Sequence, residues 1–154
     1  MNSKFRIIPL PTEIAEAARR QAKGGATDHA VMVANAPTAY PCRHCLRWAQ
    51  PGERVILFSF ESIAPGYPYS ETGPIFVHEQ SCTRYAVADA YPDEFRMGRV
   101  LRAYDRRNNM IDAVVTNGEE PETMIERLLQ NPETEFLQAR SVSRGCFTFK
   151  IERA

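Results

Sequence analysis

The chain closes on GCFTFKIERA, from Gly145 to Ala154, and this stretch alternates. Phe147, Phe149 and Ile151 fall on one side of an extended backbone, while Thr148, Lys150 and Glu152 fall on the other. Alternation of this kind marks a strand with one face on a core and one toward water, the habit of antiparallel sheets. Other short segments repeat the theme: FRII from Phe5, AVMVA from Ala30, PIFVHE from Pro74 and TEFLQARS from Thr134. GRVLRAYD and MIDAVVTN flank RRNN, which reads as a hairpin turn. RVILFSFE, from Arg54 to Glu61, is a near-continuous apolar run and reads as a central strand. SIAPGYPYSETGP, rich in proline and glycine, reads as a loop.

Two segments carry helical signals instead. PTEIAEAARRQAK has Thr12 as its candidate N-cap, Glu13 and Glu16 early, Arg19, Arg20 and Lys23 late, and Gly24-Gly25 as its stop. Its apolar side is Ile14, Ala17, Ala18 and Ala22. EEPETMIERLLQNP places Pro121 in the first turn, aligns Ile125, Leu128 and Leu129, and ends at Asn131-Pro132. Two main helices and about seven strands at hairpin spacing predict an α+β fold with a largely antiparallel sheet. With no repeat or linker, residues 1–154 are expected to form a single domain.

Composition narrows the function. Nineteen basic residues balance nineteen acidic ones, so a general affinity for nucleic acid is not expected. No apolar run approaches a membrane span of roughly 20 residues. Pro9, Pro11 and Glu13 interrupt the N-terminal segment where a signal peptide would need its apolar stretch, so the expected location is cytoplasmic. In that compartment the four cysteines read as metal ligands, reactive thiols or small core residues.

Three of those cysteines fall into close-spaced pairs. Cys42 and Cys45 form C-x-x-C within YPCRHCLRW, and His78 and Cys82 form H-x-x-x-C within HEQSC. Zinc takes four soft or borderline ligands in a tetrahedron, commonly as two such pairs from two loops or strand ends. Cys42, Cys45, His78 and Cys82 are therefore the candidate metal ligands and zinc the candidate cofactor. His44 is a less natural substitute for His78, because it lies inside its own C-x-x-C. No glycine flanks the pair as in a zinc knuckle. The plain alternative is three small buried thiols and a hydrogen-bonded histidine.

Three further readings compete. A redox C-x-x-C needs a helix after it, and Pro51-Gly52 leaves room for only one or two turns. A cysteine nucleophile, Cys146 or Cys82, would need His29, His44 or His78 as base with Glu53, Glu71 or Asp105 behind it, and nothing local selects among them. A ligand pocket would use Arg43, Arg102 and Arg140 as forks for carboxylate or phosphate, with Tyr67 and Tyr69 from the proline-rich loop. Arg47 and Glu71 are further members of that polar set. No phosphate-binding glycine loop, H-E-x-x-H or G-x-S-x-G is present.

YPCRHCLRWAQPGE, YSETGPIFVHEQSC, RVLRAYD and GCFTFKIERA, in this order, resemble a bacterial family catalogued as a domain of unknown function, DUF1203. The resemblance runs from about Phe5 to Ala154. It implies a bacterial, stand-alone protein and brings no activity, cofactor or catalytic residue with it. In that family two positions in the penultimate strand are often histidines, where this chain has Gln138 and Arg140. Other members have C-R-x-S in place of C-R-H-C, so a site using Cys45 would belong to part of the family. The expected function is a small-molecule- or protein-binding domain without turnover, held by zinc. The alternative is a small enzyme using a reactive cysteine or an Arg/Tyr-lined pocket.

Overall fold

A computed structural model describes residues 4–116 and 120–154. Asn117, expected to end a strand, and Glu119, expected to precede a helix, lie outside them. The order is β1 (Phe5–Ile8), α1 (Thr12–Lys23), β2 (His29–Val33), β3 (Arg54–Ile63), β4 (Glu71–His78), a short 3-10 turn (Asp93–Phe95), β5 (Arg99–Tyr104), β6 (Met110–Thr116), α2 (Pro121–Leu129), β7 (Phe136–Ser141) and β8 (Phe147–Arg153). Strands β1-β8-β7-β5-β6 make one sheet and β2-β3-β4 a second. Every pairing between these strands is antiparallel, so the expected α+β class is what the chain adopts.

The two sheets bury different sides. Leu101, Ala103, Leu137, Ala139, Phe149 and Ile151 face α2, whose Met124, Ile125, Leu128 and Leu129 close the larger core. Ile56, Phe58, Ile75 and Val77 of the small sheet pack with Ala15 and Ala18 of α1, together with Cys42 and Cys45. β3 is the middle strand of its sheet, as its apolar run predicts.

Several local expectations are corrected. The supposed loop from Ser62 to Pro74 is strand at both ends: β3 and β4 pair up to Ile63 and Glu71, Pro74 sits opposite Ser59, and residues 64–70 make the connection. Proline is tolerated there because β4 has no further hydrogen-bonded strand beyond it in its sheet. In β8, Phe147 does not share a side with Phe149. Arg140 pairs with Phe147 whereas the adjacent Ala139 pairs with Phe149, so an irregularity flips the end of the strand. Phe147 then packs against Phe60 of the small sheet, ring centroids 5.3 Å apart. Thr148 is buried as well, so that end of β8 has no watery face. Thr12 does not cap α1 with its hydroxyl; Pro11 holds the cap position, and Thr12 is committed elsewhere.

Candidate metal centre

The C-x-x-C segment forms a tight turn closed by a bridge between Pro41 and Trp48. Its backbone is anchored on several sides. Cys42 bridges Phe76 of β4, and the N–H groups of Cys42 and Leu46 bond to Arg47 and Cys42 within the turn. The Arg43 N–H bonds to Phe76, while the Arg43 and His44 carbonyls accept from Leu10 and Tyr85. Leu46 sits at φ 56°, in the left-handed region where a zinc knuckle would ordinarily use glycine. A branched residue there costs roughly 1–2 kcal/mol. Burying a leucine returns about 1.5–3 kcal/mol, and Leu46 is buried in the larger core. The knuckle therefore forms without its glycine, fastened by the side chain that should have disfavoured it.

This turn carries Cys42 and Cys45 to the end of β4, where His78 is the last strand residue and Cys82 follows in the connecting segment. One ligand atom from each of Cys42, Cys45, His78 and Cys82 lies within 4.8 Å of the others. Cys42 Sγ and Cys82 Sγ are 3.9 Å apart, and Cys45 Sγ and His78 Nδ1 are 3.5 Å apart. With zinc–sulfur bonds of about 2.3 Å and zinc–nitrogen bonds of about 2.0–2.1 Å, a tetrahedron has edges of about 3.8 Å and about 3.5 Å respectively. Both measured edges fit.

The surroundings are those of ligands held in place. The His78 N–H points to Cys42 Sγ at 3.4 Å. Cys82 Sγ lies 3.1 Å from His44 Nδ1 and 3.5 Å from Arg19 Nη2, and the Arg19 Nε–H bonds to the His78 carbonyl. His44 Nε2 meets the Thr12 hydroxyl at 2.8 Å. Burial lowers the His44 pKa, and the ring's two nitrogens are taken up by Thr12 and Cys82. His78 Nε2 is buried without a hydrogen bond, and the Glu53 carboxylate is 3.5 Å away. A histidine that binds metal through one nitrogen commonly aims the other at such a carboxylate.

Crowding polarises the cluster even among its own protons. Hydrogen bonds from Cys45 and Cys82 hold the Cys42 thiol far below its ordinary pKa. Cys45, facing the Cys42 and Cys82 sulfurs, is pushed far up by its hydrogen bonds to them, and His78 rises to about 10 through Cys42 and Cys82. Three sulfurs this close cannot all be anionic without a cation among them.

The competing constellations come apart. The C-x-x-C lies in a turn rather than at a helix start. Cys146 Sγ bonds to the Arg144 carbonyl; His29 is bonded to Asp28 and stacked on Phe58, and Asp105 ties up the β5–β6 turn. Of the expected pocket residues Arg43, Tyr67, Tyr69, Arg102 and Arg140, Arg102 stands opposite Gln138, close to Arg140 in the large sheet, whereas Arg43 is in the knuckle. Tyr67 and Tyr69 are exposed near the tip of the β3–β4 hairpin, and Arg102 is mid-strand in β5. Arg140 is buried and saturated by Glu71 at 2.6 Å, Gln138, Ser62 and the Gly145 carbonyl. Gln138 and Arg140, two apart in β7, bond to each other. Arg43 alone lines a sizeable cleft. Thr12, Arg19, His44 and Glu53 support the cluster from long range or from a neighbouring turn, and only His44 stood near it in the sequence.

The profile of the family described as "Protein of unknown function (DUF1203)" matches residues 39–153, which include all four candidate ligands. The chain belongs to this family. No curated protein matches the chain, and neither does any solved structure. No helix among the described residues is long and apolar enough to cross a membrane.

Proposed function

We propose that this DUF1203 protein is a small-molecule- or protein-binding domain without turnover, its fold pinned by a structural zinc ion on Cys42, Cys45, His78 and Cys82. The observation that supports this best is the mutual approach of the four ligand atoms, within 4.8 Å, from two segments far apart in the chain. Three sulfurs and one imidazole suit zinc better than calcium or magnesium, which take oxygen. Four protein ligands leave no open position for a substrate, so the metal would supply cross-linking rather than chemistry. The cross-link would join the knuckle to the end of β4 and hold Arg43, which lies between the two cysteines of the knuckle. Reduced thiols are required, and the cytoplasm provides them.

Chelation tests this. Protein purified without added metal should lose thermal stability in a strong chelator and regain it with zinc but not with magnesium. Unchanged melting in chelator, with Cys42 and Cys45 open to alkylation in the folded protein, would overturn it. Reversible oxidation of those thiols in place of metal binding would favour the redox reading.

A further inference from the structure

A second site lies beside the knuckle. A cleft of about 650 Å³ opens where the knuckle, the small sheet and the β7–β8 connection meet. This is the size of pocket that takes a small organic ligand. Its walls include Trp48, Phe76, Leu57 and Pro74, flat and apolar. Arg43, Arg99 and Arg144 also line it, and among the described residues no aspartate or glutamate does.

Arg43 and Arg99 are buried, 3% and 5% exposed, and neither has a carboxylate partner among the described residues. Arg43 spends its Nε and Nη1 on the carbonyls of Phe147 and Pro41. Arg99 bonds to the Gly98 carbonyl through Nη1, while its Nε is buried with no partner. The Arg99 guanidinium rests over Trp48 and Phe95, 5.4 Å and 4.9 Å from the ring centroids. Thr148, 1% exposed and also lining the cleft, has a hydroxyl with no partner. Two buried cations with spare donors and no anion are costly, because each loses hydration without regaining charge. The Arg140 site elsewhere shows how this chain satisfies a buried arginine, with Glu71 at 2.6 Å.

We propose that this cleft binds a small molecule with an oxyanion head, carboxylate or phosphate, and a flat apolar body. Arg43 and Arg99 take the head, Thr148 adds a hydroxyl donor, and Trp48 with Phe76 covers the body. Guanidinium forks match both oxyanions, so the head group is defined as a class. The site extends the ligand-binding reading above but does not need zinc to be present.

Trp48 is the only tryptophan in the chain, so its fluorescence reports on the cleft. The probes are phenyl phosphate, phenylacetate and the uncharged phenylacetamide. Saturable changes are expected with at least one anion, with phenylacetamide at least roughly tenfold weaker, about 1.4 kcal/mol. The two anions separate phosphate from carboxylate recognition. Arg99→Gln should erase the preference for charge, and Thr148→Val should weaken the anion by a few fold. Should Arg99→Gln fail to fold, the comparison of charged and neutral probes on the unaltered protein still decides. No saturation by either anion up to about 10 mM, a concentration that would still reveal millimolar binding, overturns the proposal. So does equal binding of phenylacetamide. Zinc content measured on the same sample keeps this result apart from the fate of the metal centre, since anion binding by folded, metal-free protein would retain the cleft and reject the zinc.

Discussion

Two polar clusters attach the small sheet to the rest of the molecule, and they are completed in different ways. Under the β3–β4 hairpin, Arg140 of β7 meets Glu71, Ser62, Gln138 and the Gly145 carbonyl. Charge is balanced there by the chain's own atoms. At the other end of β4, Cys42, Cys45, His78 and Cys82 converge on one another, with the Arg19 guanidinium reaching Cys82 from the flank. The first cluster closes on the chain's own atoms, and the second is one that a metal ion could complete. Proximity alone therefore says little about function. What separates a structural cluster from a binding one is whether its charge and hydrogen bonds close internally.

The largest expected effect comes from the cysteine cluster. Cys42→Ser removes a fully buried ligand and should cost about 3 kcal/mol or more in thermal or denaturant unfolding, with loss of metal. Cys146→Ser, outside the cluster, should stay within about 0.5 kcal/mol. Equal effects from the two would erase the distinction between cluster and bystander.

Next comes the Arg140 cluster. Glu71→Gln strands the Arg140 cation in the interior and should cost about 3 kcal/mol. Arg140→Met leaves Glu71, whose side chain is 39% exposed and can turn to water, so it should cost less. Denaturant melts of both variants check the order; the reverse order would mean that Arg140 matters by packing rather than by charge.

A smaller effect probes the support of the metal ligands. Thr12→Val removes the hydroxyl that holds His44 against Cys82 and should cost about 1 kcal/mol. It should also weaken zinc retention against a chelator roughly tenfold. A purely structural Thr12 would change melting alone.

The smallest effect concerns an ordinary ion pair near α2, which sets the scale. Burial works to raise the Glu122 pKa, but the Arg96 fork at 2.7 Å and backbone N–H groups outweigh it and hold it low. A depressed carboxylate pKa stabilises the fold above its ordinary value, and that contribution fades as pH falls through the lowered one. Glu122→Gln should therefore cost about 0.5 kcal/mol near neutrality, since the pair is partly exposed to solvent, and the gap to the unaltered protein should close in acid. A gap that persists in acid would assign the effect to lost packing.

Much of this was legible in the residues, and the remainder has physical reasons. Alternation and hairpin spacing give the antiparallel sheets, and the paired spacings of Cys42, Cys45, His78 and Cys82 point to the cluster. Thr12, Arg19 and Glu53 could not be assigned to it, because only the fold brings α1 and the turn before β3 to β4. The knuckle looked unsuited to metal for want of glycine, since nothing local says that Leu46 has a core to enter. The β3–β4 hairpin was hidden by Pro74, a residue whose cost in a strand depends on which strands lie beside it. The pocket residues could not be sorted from sequence for a related reason. Arginines and tyrosines advertise binding in any sequence, but only contacts show that Arg140 is already satisfied while Arg99 is not.

The most direct measurement is elemental analysis with a parallel thiol count on protein purified without added metal. One zinc per chain, with Cys42, Cys45 and Cys82 protected from alkylation until a chelator is added and Cys146 reactive throughout, is the expected result. Folded protein with no metal and all four thiols free to react would contradict it.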